Sequence, residues 1–289
     1  MISQKAKLSN YPHKIVDVIH DLCGQKKNSH ILVEGDCLNV MQSMDKDSVD
    51  CIVTSPPYNI GKDYDVYDDD MSEGRFSIFL SDRFNAMSKV LKEDGSLFLI
   101  VGSTNKEPWV ANDMANIARK RFILQNEIVW IKSISITSSA SFGHYKPINS
   151  NRYINQTNER VFHFTKKGNV QLNRLGVGVE YKDKSNIKRW KSHQQRRCRG
   201  NSWFVPYDTI QSKSARGNHP APFPFELASM CIRLHGVRHD DTFCVLDPFC
   251  GTGSANVAAN MLFVNSIGVD LSADYLKSAE DRIRFLGSN

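Results

Sequence analysis

The run Ser96-Leu97-Phe98-Leu99-Ile100-Val101 leaves almost no polar face for water. A strand built from it must be covered on both sides, as in a mainly parallel sheet held between two layers of helices. Further strand-length apolar runs occur at Ile31 to Asp36, Val49 to Thr54, Glu127 to Ile131, Glu159 to Thr165, Phe243 to Asp247 and Ser266 to Asp270. Helical segments fall between them. Phe76, Phe79, Leu80, Phe84, Met87 and Leu91 recur at helical spacing and predict an amphipathic helix over Glu73 to Lys92, closed by Glu93-Asp94-Gly95. Shorter helices are expected at 37–44, 108–120 and 255–262, and one at 14–22 within an irregular lead-in of 30 residues. Strands alternating with helices predict an α/β domain with a doubly wound sheet.

The strand Val49 to Thr54 runs into Ser55-Pro56-Pro57-Tyr58. Consecutive prolines fix φ and hold the preceding residue extended, so the turn is rigid. It presents two acceptors, Ser55 Oγ and the Pro56 carbonyl, beside the ring of Tyr58. Such a turn suits gripping a planar amine, and it is equally a strand end with Tyr58 as packing.

A second strand end reads Asp247-Pro248-Phe249-Cys250-Gly251-Thr252-Gly253-Ser254 and leads into a helix. A Gly-x-Gly turn there lets a ligand approach the backbone and the helix N–H groups. About twenty residues on, Asp270 closes the next strand, where a carboxylate can accept from both ribose hydroxyls. The third glycine of a dinucleotide site is absent.

The 289 residues are 40% hydrophobic, enough for one large domain or one and a half. No run approaches the roughly 20 apolar residues of a membrane span, and the N-terminus begins no signal-peptide pattern, so a soluble intracellular protein is expected. Seven scattered cysteines without a Cys-x-x-Cys pair indicate neither disulfides nor zinc, and no metal site is expected. Cys51 and Cys244 read as small core residues. The acidic run over residues 61–73, with Asp63, Asp65, Asp68, Asp69 and Asp70, reads as a solvated loop, and 133–157, rich in Ser, Thr and Asn with Phe142, His144 and Tyr145, as a long exposed one. Between residues 182 and 216 the formal charge is +8, against +6 for the whole chain. Interleaved with Tyr181, Trp190, His193 and Trp203, these cations make a nucleic-acid surface or a solvated subdomain.

Taken in order, the Ser55–Tyr58 turn, the basic segment and the 247–254 loop resemble the beta group of amino-methylating DNA methyltransferases, which use S-adenosyl-L-methionine. Gly35-Asp36 looks like the family's strand-end acid at the cofactor adenine, and His219-Pro220-Ala221-Pro222-Phe223-Pro224 like its closing segment over the cofactor. The residues 127–132 and 158–166 resemble two late strands of its sheet. The resemblance implies a Rossmann-like methyltransferase fold with circularly permuted motif order and an inserted DNA target-recognition region. Residues 1–168 and 218–289 would be the catalytic and cofactor halves, with 169–217 as the insert.

By that resemblance Ser55, Pro56, Pro57 and Tyr58 are catalytic, with Tyr58 the face on which a flipped base stacks. Asp36, His219, Pro220, Phe223, Asp247, Pro248, Phe249, Gly251, Gly253, Ser254 and Asp270 would hold the cofactor, and Lys188, Arg189, Lys191, Arg196, Arg197 and Arg199 the DNA. The partners implied are double-stranded DNA and a cognate restriction endonuclease, with the enzyme a monomer or homodimer. A covalent route would need a cysteine in the catalytic loop, and there is none. Serine at position 55 together with the 219–224 segment is commoner in enzymes acting on cytosine N4 than on adenine N6, which is the alternative. A NAD-dependent oxidoreductase would account for the glycines and Asp270 but not for the Ser-Pro-Pro-Tyr turn. A non-catalytic DNA-binding protein would account for the basic segment alone.

Overall fold

The computed structural model describes residues 3–7, 28–61, 69–145, 148–185, 187, 195–207 and 222–286. The strands are β1 (Ser3–Lys7), β2 (His30–Glu34), β3 (Val49–Thr54), β4 (Leu91–Val101), β5 (Ile123–Ile131), β6 (Ser133–Ser135), β7 (Ser141–Gly143), β8 (Asn158–Thr165), β9 (Val179–Glu180), β10 (Arg196–Arg197), β11 (Ser202–Phe204), β12 (Cys244–Asp247) and β13 (Asn265–Asp270). The helices are α1 (Cys37–Ser43), α2 (Glu73–Val90), α3 (Val110–Ala118), α4 (Phe225–His235), α5 (Ser254–Met261) and α6 (Ala273–Leu286). Nine strands form one sheet in the order β1-β2-β13-β12-β3-β4-β8-β5-β11. Every neighbouring pair is parallel except those made by β8, which runs antiparallel to β4 and β5.

The apolar runs fill both faces as their lack of alternation requires. Leu97, Leu99 and Val101 of β4 pack with the helices α1, α2 and α3. Phe98 and Ile100 point to the opposite face and meet α4 and α5. Each fully buried side chain of this size contributes about 1.5–3 kcal/mol. β3 and β12 are also tied at their starts, where buried Asp50 accepts from the Cys244 amide at 2.9 Å and pairs with Lys92 and Arg238.

Several sequence expectations need correction. β4 does not begin after Glu93-Asp94-Gly95 but incorporates it, because Val49 pairs with Leu91 and Cys51 with Ser96 while the residues between bulge. From that bulge Lys92 reaches Asp50 at 2.9 Å. The 133–157 stretch is mostly exposed, yet it contains the hairpin β6–β7. Asp69 is 2% exposed rather than solvated, since its carboxylate serves backbone amides. Trp203 is 1% exposed and belongs to no binding surface. It sits in β11, which pairs with β5 at the edge of the main sheet although it lies within 169–217. The expected helix at 14–22, together with Asp63, Asp65, Asp68, Trp190 and His193, lies outside the described residues.

Two histidines are buried as hydrogen-bonding neutral rings. His163 meets Ser96 Oγ and Asn126 Nδ2, each at 3.0 Å, and burial first, then the neighbouring His235, pushes its pKa down to about 3. Burial likewise pushes His30 down to about 4. The unfolded chain, with histidines near 6.5, therefore binds more protons below about pH 6.5. Stability should fall as pH drops from about 6.5 towards 4. Urea midpoints measured across that window should fall less steeply for His163→Gln than for the wild type, and identical slopes would contradict the assignment.

Candidate active site

Four parallel strands deliver their C-terminal ends to one place. β2 ends before Asp36, β3 before the Ser55–Tyr58 turn, β12 before Pro248 and β13 at Asp270, and a cavity of about 400 Å³ lies among them. Clefts at the carboxyl ends of such strands are the usual ligand sites of open α/β sheets.

The deciding contact joins the two loops. Thr54 Oγ1 donates to Asp247 Oδ1 at 2.7 Å, and the same oxygen accepts from the Phe249 amide at 3.1 Å. Asp247 is 1% exposed, and its Oδ2 has no partner among the described residues. Burial pushes its pKa up to about 7, against the opposing pull of the Thr54 and Phe249 hydrogen bonds. Asp247 thus couples the ends of β3 and β12, and it does not itself line the cavity.

The Ser55–Tyr58 turn is clasped from behind. Asn59 takes a left-handed φ of 55°, its side chain exchanges two hydrogen bonds with the Met71 backbone, and the Asp69 carboxylate accepts from the amides of Asn59 and Ile60 at 2.8 and 3.0 Å. The ring of Tyr58 packs against the core while its hydroxyl stands 3.1 Å from Ser55 Oγ. Ser55, Pro56, Pro57 and Tyr58 all line the cavity.

Opposite them, Pro248, Phe249, Ser254 and Asp270 line it, as do Asp36 and Phe223. The Asp270 carboxylate accepts from the amides of Gly251 and Ser272, each at 2.9 Å, which fixes its direction. Gly251 and Gly253 are not lining residues. Gly253, at φ 76°, is required for packing, because an added Cβ would come within 2.6 Å of Ala279 Cβ on α6. The third glycine of a dinucleotide loop would fall at Asn256, which is buried and donates to Ser266 Oγ. Gly268 on β13 makes the room instead, since a Cβ there would lie 2.6 Å from Asn256 Oδ1. Cys250 lines the cavity, but burial raises its thiol well above the ordinary range and leaves it no nucleophile.

Phe79 and Arg83 line the cavity although no motif marks them as site residues in the sequence. Arg83 is nearly buried, pairs with Asp36 at 2.8 Å and lies 3.5 Å over the Phe79 ring, whose centroid is 6.4 Å from that of Phe249. Its Nε has no partner among the described residues. The signal was a cation on the apolar stripe of α2, where water cannot solvate it. Of the basic residues, Arg196 and Arg197 are exposed on β10, while Arg199 donates to the Val177 carbonyl at 3.0 Å. Lys188, Arg189, Lys191, His219 and Pro220 lie outside the described residues.

The family model described as DNA methylase, of the N6/N4 methyltransferase type, matches residues 49–281, from the start of β3 into α6. This chain belongs to the N6/N4 DNA methylase family. Among its relatives, DNA adenine methyltransferase YhdJ of Escherichia coli (strain K12) is 28% identical over 262 residues, spanning 87% of this chain and 82% of that protein. Type II methyltransferase M.HpaI of Haemophilus parainfluenzae is 25% identical over 255 residues, spanning 87% and 73%. The fold is shared with the PvuII DNA methyltransferase (cytosine-N4-specific), at a TM-score of 0.66 and 16% identity over 92% of this chain and 95% of that one. It is also shared with a DNA modification methylase of Thermus thermophilus, TTHA0409, complexed with S-adenosyl-L-methionine, at 0.59 and 24% over 89% and 94%. As in the family's order, the methylase's Ser-Pro-Pro-Tyr strand precedes the Gly-x-Gly strand in sequence.

If the Thr54–Asp247 bond couples the loops, Thr54→Val keeps the β-branched shape and leaves a buried carboxylate oxygen short of a donor. Its unfolding free energy should fall by about 1–3 kcal/mol in urea titrations at neutral pH. A loss within measurement error would remove Asp247 from this role.

Proposed function

We propose that this DNA methylase transfers a methyl group from S-adenosyl-L-methionine to the exocyclic N4 amine of a cytosine flipped out of double-stranded DNA. The observation that carries the reading is the turn in which Ser55 and Pro56 share one cavity with Phe249 and Asp270. Its volume of about 400 Å³ falls within the roughly 300–1,000 Å³ of ligand sites.

The residues present fit the cofactor. Asp270, fixed by two amides, would accept from ribose hydroxyls, and Phe249, Phe223 and the Asp36–Arg83 pair would hold the adenine. Bound there, S-adenosyl-L-methionine supplies an electrophilic methyl group on a sulfonium. Ser55 Oγ and the Pro56 carbonyl would accept the two N–H bonds of the amine and turn its lone pair out of conjugation with the ring. The amine is otherwise a poor nucleophile, so orientation and polarisation are what the turn contributes. Tyr58 offers a face for the base, and the exposed Arg196 and Arg197, with the other cations of 182–216, would meet phosphates. Similarity to type II methyltransferases supports a cognate endonuclease as partner.

Ser55, a small neutral acceptor, favours cytosine N4. Adenine N6 is the second reading, supported by the 28% identity to an adenine methyltransferase, since either amine offers two hydrogens to two acceptors. Nucleoside mass spectrometry of DNA incubated with the protein and methyl donor should find N4-methylcytosine. N6-methyladenine alone would overturn the choice of base, and no methylated nucleoside would overturn the reading.

Ser55→Ala should lower turnover by about 100-fold or more while the cofactor Kd changes little; equal losses would contradict an acceptor role. Asp270→Ala should weaken cofactor binding roughly tenfold or more by calorimetry, and an unchanged Kd would dismiss the ribose contact.

A further inference from the structure

Within the methyl-transfer reading, on which this inference rests, we propose that the Tyr58 hydroxyl is a positioning group that turns the Ser55 hydroxyl proton away from the substrate and leaves the Ser55 lone pairs free for the amine. Tyr58 Oη stands within reach of three groups. The Gly102 amide donates to it at 3.0 Å, the Ile100 carbonyl lies 3.4 Å away, and Ser55 Oγ lies at 3.1 Å.

The roles follow from counting protons. A backbone N–H only donates and a carbonyl only accepts, whereas each hydroxyl carries one proton and accepts through its oxygen. If Tyr58 donated to Ser55, the Ser55 proton would have no acceptor among the described residues and would be left facing the cavity. There it would oppose an arriving N–H. If Tyr58 donates to Ile100, it accepts from both Gly102 and Ser55, and every proton is satisfied. Only the second arrangement makes Ser55 a pure acceptor towards the amine, and a chain of aligned hydrogen bonds strengthens each member.

The turn also places the anchors well. Gly102 follows β4, whose Leu99 pairs with Thr54 of β3, so Tyr58 is held by the strand next to its own. Burial, and secondarily the charge of Glu159, raise the phenol well above its ordinary range, so it remains protonated at working pH and does not act as the base. The ring and the hydroxyl therefore have separable tasks. The ring offers a face to the base, and the hydroxyl sets the direction of Ser55.

Tyr58→Phe keeps the ring and removes the hydroxyl. Single-turnover methyl transfer to DNA, which isolates chemistry from product release, should slow about tenfold in this variant, with Kd for DNA and for S-adenosyl-L-methionine within twofold of wild type. The pH dependence of the rate should keep its shape. In a Ser55→Ala background the same change should alter the rate less than twofold, because the hydroxyl then has nothing to orient. A wild-type rate in Tyr58→Phe, or independent additive losses in the double variant, would overturn the positioning role while leaving the methyltransferase reading intact. Absence of methyl transfer by the wild-type protein would overturn that reading and this inference with it.

Discussion

One buried hydrogen bond, from Thr54 to Asp247, joins positions 193 residues apart and makes a single site out of two strand ends. Both belong to adjacent parallel strands, so their loops leave the sheet on the same side. Alone, each loop is only a turn. With Asp247 also accepting from the Phe249 amide, the turn that carries the amine acceptors is set against the loop that faces the cofactor. A carboxylate buried with one oxygen unpartnered is costly, and its pKa of about 7 records that cost in the free protein. Such strain is usual where structure is organised for chemistry rather than for stability.

Around that contact the site is held by polar groups that look incidental in sequence. Asp69 secures the residues after Tyr58, and Asp270 secures the 251–254 loop as well as facing the cavity. Arg83 anchors Asp36 from α2. The acids therefore do two kinds of work. Those with free directions towards the cavity can meet a ligand, and those saturated by amides set the shape of the loops.

The sheet was legible because runs such as Leu97 to Val101 admit only a doubly covered strand, and β3 and β13 fall close to where their composition ends. The Ser55–Tyr58 turn and Asp270 were legible as site residues because short motifs sit at strand ends. Other features were hidden for stated physical reasons. Asp247 read as a cofactor ligand, since its partner Thr54 is distant in sequence. Asp69 was masked by the acidic residues around it, although only it is known to turn inward among the described ones. Trp203 looked like part of a basic surface because β11's pairing with β5 is a tertiary event that local composition does not encode. The missing third glycine had a structural answer in Gly268, which gives from the strand the space that dinucleotide folds take from the helix.

That exchange bears on the identity of the cofactor, because the loop, the helix and Asp270 would otherwise suit either a methyl donor or a nicotinamide dinucleotide. Equilibrium dialysis of the purified protein against S-adenosyl-L-methionine and against NAD separates the two directly. Saturable binding of S-adenosyl-L-methionine with no detectable binding of NAD is the expected result, and saturable NAD binding without S-adenosyl-L-methionine binding would contradict the assignment of the cavity.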